Sequence, residues 1–264
     1  MIDIGVNLTN SRFDKDRNEV IDRAKQAGLS ALLITGTNIS ESEKAAQLCQ
    51  TDPQFLYSTA GVHPHDADHV SSDYLSVIES LAELDCVKAI GECGLDFNRN
   101  FSAPEQQKKV FEAQAALASR LNMPLFLHQR DAFDTWLAIL TPYIDQVPAM
   151  VSHCFTANLS QLKQCLDAGM YIGITGWICD NKRGQELQEI VRYLPLDRLM
   201  VETDAPYLTP KTLRPKPKSS RNEPGYLPHI VEVIAQHSGH SVIDIIQHSA
   251  ANSRRVFALD NGHE

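Results

Sequence analysis

The chain contains no hydrophobic run approaching the ~20 residues that a membrane-crossing helix needs, and it opens Met1-Ile2-Asp3 without the basic start of a secretory leader. These absences exclude a membrane partner from the expectations and make the cytoplasm the default location. Cysteine is sparse and unpatterned: Cys49, Cys86, Cys93, Cys154, Cys165 and Cys179 form no C-x-x-C pair, in a 264-residue chain long enough to need no covalent staples. Reduced thiols follow. Cys93 and Cys154 adjoin candidate ligands, but free cysteine is more often a small buried hydrophobe. Positive charge is also in deficit. A formal net charge of -9 argues against a protein that coats duplex DNA through bulk electrostatics, so any nucleic-acid site has to be a local patch. Finally, no glycine-rich phosphate turn follows the first candidate strand, where Gly5-Val6-Asn7-Leu8 stands, and this speaks against a doubly wound dinucleotide-binding sheet.

What is present is an alternation of short β-rich apolar runs with longer segments of helical period, the pattern of repeated β-α units. Eight strand candidates stand out: Ile2 to Asn7, Leu29 to Thr35, Phe55 to Val62, Val87 to Glu92, Leu125 to His128, Ala149 to His153, Tyr171 to Thr175 and Leu199 to Thr203. Eight is the barrel number, and such barrels run to ~250 residues as one unit, so residues 1–264 are read as a single α/β domain, a (β/α)8 TIM-type barrel. Ser102-Ala103-Pro104-Glu105 has the form of a capping box, followed by Val110, Ala113, Leu117 and Leu121 on one face. Gly28 and Gly169 fall where helices should stop. Beyond the eighth strand lies a Pro- and Lys-rich loop, Pro210 to Pro224, then helical stretches near Leu227 to His237 and Val242 to Phe257.

In a barrel of this kind the catalytic side chains come from the C-terminal ends of the strands. Glu92 ends the fourth candidate, His128 the fifth and His153 the sixth; Asp204 follows the eighth, and His63 closes the third. Any one of these is unremarkable alone, since a strand-end His or Glu usually caps or completes a hydrogen bond. Together they describe a metal site. Carboxylate and imidazole suit Mg2+, Mn2+ or Zn2+, and a ligand set without cysteine disfavours a closed structural zinc centre. A bound divalent ion lowers the pKa of its water towards neutrality, and a nearby carboxylate takes the proton.

The segments carrying these residues, Gly61-Val62-His63-Pro64, Ile90-Gly91-Glu92-Cys93-Gly94-Leu95-Asp96, His128-Gln129-Arg130-Asp131, Ser152-His153-Cys154-Phe155 and Glu202-Thr203-Asp204-Ala205-Pro206, resemble those of TatD-family nucleases. The likeness extends from the first strand to Arg221-Asn222-Glu223-Pro224. It implies a metal-dependent hydrolase acting on phosphodiester bonds, a 3′-5′ exonuclease on single-stranded DNA or RNA serving DNA repair or degradation, as a monomer with Mg2+ as the first expected ion. It further implies Glu92, His128 and His153 as metal ligands and Asp204 as the base that orients the attacking water and touches metal, with Glu92 also counted as catalytic. One departure matters. Many relatives open Asp-x-His-x-His, whereas this chain reads Asp3-Ile4-Gly5-Val6-Asn7, so a second metal is expected to bind weakly.

Substrate grip is assigned to His63, Arg99 and Arg130 and to a basic run, Lys211, Arg214, Lys216, Lys218 and Arg221, in which Pro215 and Pro217 would hold the charges outward. Phe97, Phe101, Trp177 and Tyr207 occupy rim loops where bases could stack. His65, His69, His229, His237, His240, His248 and His263 receive no role, although His229 stands where it could touch the rim. The competing reading is a metal-dependent amide or ester hydrolase, such as an aminoacyl-tRNA deacylase, because fold does not fix substrate. A third, a binding module without chemistry, is disfavoured by retention of Glu92, His128, His153 and Asp204.

Overall fold

The structure, a computed structural model, describes residues 1–259; residues 260–264, His263 among them, lie outside the described residues. Its eight strands are β1 (Ile2–Val6), β2 (Ala31–Ile34), β3 (Leu56–Ala60), β4 (Val87–Asp96), β5 (Leu125–Arg130), β6 (Met150–Ser152), β7 (Tyr171–Ile174) and β8 (Leu199–Val201). They form one sheet in sequence order, β1 to β8, and the last strand returns to the first through a parallel bridge between Val6 and Ala205. The fold is a (β/α)8 barrel. Its helices are α1 (Arg17–Gln26), α2 (Ile39–Cys49), α3 (Tyr74–Ala82), α4 (Pro104–Leu121), α5 (Phe133–Leu140), α6 (Leu159–Asp167), α7 (Gln185–Ile190), α8 (Leu227–Ser238) and α9 (Val242–Phe257).

Contacts divide the chain into two compact units. The first comprises residues 1–34, 154–167 and the chain from Tyr171 on, and so holds β7, β8, β1 and β2. Within it, Asp204 N–H donates to Gly5 O (2.8 Å) and Asn7 N–H to Ala205 O (2.7 Å), which stitches the end of β8 to β1. Asn252 of α9 donates to both Leu196 O and Leu199 O (2.8 Å each), anchoring that helix to the entry of β8. The second unit, 35–153 with 168–170, holds β3 to β6, paired in parallel. Its core contains the fully buried Trp136, Phe111 and Phe126.

Two strands run further than the sequence pattern suggests. β4 continues past Glu92 to Asp96, and β5 past His128 to Arg130, because Leu95 pairs with Gln129 and Asp96 with Arg130 after a register shift between Ile90 and Cys93. In β5 the added residues, Gln129 and Arg130, are polar, whereas in β4 the buried extension is interrupted by Gly94 and ends on Asp96. The expected capping box at Ser102 does not form. Ala103 is the N-cap, without a side-chain bond of its own, and Ser102 Oγ donates instead to His65 O at 2.8 Å. The buried stripe of α4 also differs: Val110, Phe111, Gln114, Ala115, Leu117 and Ala118 face inward with Gln107. Those two glutamines, seven residues apart and so on one helical face, grip backbone. Gln114 Oε1 accepts from Val62 N (2.7 Å) while its Nε2 donates to Val62 O (3.0 Å). Gln107 does the same to Asp96 N (2.9 Å) and Asp96 O (3.1 Å).

Candidate metal centre

Strands β3, β4 and β5 approach more closely at one level than side chains would allow. Gly91 has φ +143°, and a Cβ there would lie 2.1 Å from Phe126 O; at Gly94, φ +149°, it would lie 1.8 Å from His128 O. These are conformations and spacings that only glycine fits. Glu92 follows Gly91 directly, and Asp96 lies two residues beyond Gly94 at the end of β4.

Glu92 sits at the middle of the second unit's polar cluster, 6% exposed. One carboxylate oxygen, Oε1, meets three imidazole nitrogens: His153 Nε2 at 2.7 Å, His128 Nδ1 at 2.9 Å and His63 Nε2 at 3.4 Å. Burial opposes ionisation of Glu92, but the His153 and His63 rings and the bonds from His128 and His153 outweigh it and hold the carboxyl well below its usual range. His63 is driven the other way. Burial, only partly offset by Glu92, pushes it well below the ordinary histidine range, so the ring is neutral.

The tautomer of His63 is set by its backbone neighbour. Its Nδ1 accepts the His65 backbone N–H at 3.1 Å, so Nδ1 carries no proton and the neutral ring keeps its hydrogen on Nε2. A neutral imidazole cannot both ligate and donate through that nitrogen. With its hydrogen on Nε2, His63 faces Glu92 Oε1 at 3.4 Å, and its ring nitrogen, a Glu92 oxygen and a His128 nitrogen all lie within 4.8 Å of one another.

For His128 the fit to a cation is better. Its Nε2 is buried without a hydrogen-bond partner, Asp96 Oδ2 standing 3.7 Å away. Leaving such an atom unpaired is costly unless something accepts its lone pair or its proton. A buried carboxylate, the imidazoles around it and an orphaned ring nitrogen constitute a donor set that suits a divalent metal.

Two members of this cluster were missed by sequence reasoning. His65 Nε2 is bonded to Asp96 Oδ2 at 2.6 Å, its ring stands edge-on to His63 (4.2 Å between centroids), and Phe101 packs on it at 4.7 Å. Asp96, 3% exposed, also accepts from the N–H groups of Asn98 (3.0 Å) and Arg99 (2.9 Å). Burial would raise its carboxyl, but the His128 and His65 rings and the Arg99 N–H hold it far below the usual value. The signal was available: His65 lies two residues beyond His63, and Asp96 four beyond Glu92.

In the first unit, Asp204 adopts φ +54° and its Oδ1 accepts from Asn7 Nδ2 at 3.1 Å. Asn7 thus orients the aspartate. Glu202 is fully buried and its Oε1 accepts the Cys154 N–H at 2.5 Å. Asp3 is buried beneath, taking the hydroxyl of Thr203 (2.5 Å) and the N–H groups of Thr203 (2.9 Å) and Gly5 (3.2 Å); burial nevertheless raises its carboxyl to about 7.

The basic residues divide. Arg99 is exposed over the Phe101 ring (5.9 Å), and Phe97 N–H donates to Arg130 O at 2.9 Å. Lys216 and Lys218 are exposed and carry no ion pair among the described residues. Lys211 is tied to Asp180 at 2.7 Å. The Arg221 guanidinium clasps Asp16 at 2.6 and 2.7 Å and lies over Phe13. His229 does reach the loop, bonding Thr212 Oγ1 at 2.7 Å. Trp177 donates its indole N–H to Arg183 O and is covered by that guanidinium at 4.5 Å, which leaves Phe101 (61% exposed) and Tyr207 (49%) as the open aromatic faces. All six cysteines are free, and four are buried as packing residues.

The profile of the family described as "TatD related DNase" matches residues 2–258. The chain is 55% identical over 259 residues to the "3'-5' ssDNA/RNA exonuclease TatD" of Pectobacterium carotovorum subsp. carotovorum, covering 98% of this chain and all of that one. Among solved structures it resembles a TatD family hydrolase from Entamoeba histolytica (TM-score 0.89, 27% identity) and YjjV, a TatD homolog from Escherichia coli K12 (TM-score 0.88, 25% identity), each over 98% of both chains.

Proposed function

Since the chain belongs to the TatD related DNase family, we propose that it is a 3′-5′ exonuclease hydrolysing phosphodiester bonds of single-stranded DNA and RNA with a divalent metal, Mg2+ first. The observation that carries this reading is the convergence of three imidazole nitrogens on Glu92 Oε1, with the orphaned Nε2 of His128 beside them. A metal bound there supplies Lewis acidity and a water of lowered pKa.

The chain's own residues do the rest. Glu92, His128 and His153 hold the ion. Asp204, oriented by Asn7, accepts the proton of the attacking water, a role supported by its place in the Glu202-Thr203-Asp204 segment at the end of β8. Neutral His63 donates its Nε2 hydrogen to a phosphate oxygen. Arg99, which follows β4, and Arg130, the last residue of β5, take phosphates bidentately, while Lys216 and Lys218 add exposed positive charge. Arg221 builds the wall through Asp16. The 264 residues work as one catalytic domain, as a monomer in the cytoplasm, in breakdown or repair of nucleic acid.

An end-labelled single strand of DNA, the matching RNA and a panel of uncharged esters, each incubated with Mg2+, Mn2+ or Zn2+, test the reading. Stepwise loss of nucleotides from the 3′ end is expected; efficient ester cleavage with intact nucleic acid would transfer the chain to the amide and ester hydrolases.

A further inference from the structure

A pocket of about 340 Å³ lies between the segments that follow β1 and β8, lined by Ser11, Arg12, Lys15, Ser219 and Arg221. All five belong to the first unit, and none is a donor of the metal centre. Both segments leave the C-terminal ends of paired strands, which is the functional end of this fold.

The charge in this pocket is unbalanced. Arg221 and Arg23 face Asp16 and Glu223, two cations against two anions, at 2.6 to 3.3 Å. Asp14 is turned to Arg17 at 2.5 Å. That leaves Arg12 and Lys15 in surplus. Arg12 Nη1 donates to Pro206 O at 3.0 Å, which orients the guanidinium and leaves Nε and Nη2 without a protein acceptor among the described residues. Lys15 makes no ion pair among them and is exposed. Ser219 Oγ accepts from Arg221 N (3.1 Å) and so keeps its own proton to give. The walls thus offer donors, in a chain whose net charge is -9. Next to Ser11, Asn10 donates to the hydroxyl of Tyr207 (3.2 Å), whose ring is half exposed, so an aromatic face adjoins the cations. Cations beside an open aromatic ring are what a nucleotide unit requires, and the volume is that of a small-ligand site rather than of a bare ion.

We propose that this pocket binds a phosphate ester of single-stranded nucleic acid, Arg12 and Lys15 taking phosphate oxygens and the Tyr207 ring taking the base. The inference rests on the nuclease reading for its ligand class. The phosphate belongs either to the strand itself or to a released mononucleotide, and the measurements separate the two.

Binding of a fluorescein-labelled oligothymidylate is followed by anisotropy in excess chelator, where no turnover occurs, for wild type, Arg12→Ala/Lys15→Ala, Lys15→Glu and a bulk-charge control, Lys109→Ala/Lys163→Ala on α4 and α6. The pocket variants should bind about tenfold more weakly, the scale of two exposed ion pairs, with the log-log salt slope reduced by up to ~0.7 per lost contact. The control should match wild type. Thymidine 5′-monophosphate that fails to compete assigns the pocket to the strand; competition lost in Lys15→Glu assigns it to the mononucleotide. Unchanged affinity and slope in both pocket variants overturn the proposal. The two failures are distinct, because wild type that cleaves no nucleic acid with any metal overturns the nuclease reading while the chelated binding arm still reads the pocket.

Discussion

A single oxygen atom, Glu92 Oε1, gathers the imidazoles of the second unit, and the value of each histidine depends on which of its nitrogens is already engaged. Residue type and strand-end position were enough to single out Glu92, His128 and His153 from the sequence. They could not distinguish ligand from donor, because the His65 N–H that fixes the His63 tautomer is a backbone group with no letter in the sequence. The same blindness hid Asn7, whose amide matters here for orienting Asp204 rather than for ligating. These roles separate in measurement. His153→Ala removes a ring nitrogen 2.7 Å from Glu92 and should weaken metal binding by roughly 10–100-fold or more in a calorimetric titration, the range seen when support for a metal is lost. Asp204→Asn should leave metal affinity nearly intact and slow single-turnover cleavage by roughly 10²-fold or more, as for loss of a general base. An Asp204→Asn protein that cleaves at the wild-type rate removes that aspartate from the chemistry.

At the scale of elements, the helix α4 and the loop after β8 each carry a device that the apolar pattern conceals. Periodicity located α4 but put Ala113 and Leu121 on its inner face where Gln107 and Gln114 stand, since a buried glutamine reads as surface until its backbone partners are known. Gln114→Met keeps the volume and strands the Val62 N–H and C=O. Each buried group left unpaired costs about 1–3 kcal/mol, so denaturant titration should show a loss of that order. In the loop, Lys216→Ala/Lys218→Ala should raise KM for DNA and flatten its salt dependence while leaving the maximal rate, because uniform binding alone is removed. Arg221 also contributes to stability through its ion pair with Asp16. Its bond holds the Asp16 carboxyl down to about 2, against an ordinary 3.8, with burial opposing and Arg23 assisting. A carboxyl depressed on folding contributes stability above its unfolded value and loses it as pH falls through the folded one. Wild type should therefore lose stability between about pH 4 and pH 2 through this pair, and Asp16→Asn, weaker at neutral pH, should lack that limb of the acid titration.

For the molecule as a whole, eight short apolar runs predicted the eight strands, and their order in the sheet follows the sequence. This much was legible because a parallel strand buried on both faces must be apolar, whereas the partition into two compact units depends on contacts that no local pattern records. A net charge of -9 fits this architecture only if carboxylates are neutralised where they cluster. In the second unit a buried Glu92 and Asp96 have imidazoles as their only neutralising partners among the described residues, and at neutral pH imidazole is a weak cation. A divalent ion satisfies both carboxylate charge and the unpaired His128 nitrogen, so it must bind the folded chain more tightly than the unfolded one. Mass action then requires stabilisation by about 2.7 kcal/mol at a hundredfold excess over Kd, which for a chain of this size raises Tm by roughly 5–10 °C. Scanning calorimetry with excess chelator and then with Mg2+ or Mn2+ should show that rise, with cleavage abolished by chelator and restored by the same ion. In His128→Ala the metal-dependent part of the rise should vanish. Full exonuclease activity in excess chelator, or a Tm that ignores every divalent ion, would remove the metal from the mechanism and leave the three imidazoles around Glu92 as a structural cluster.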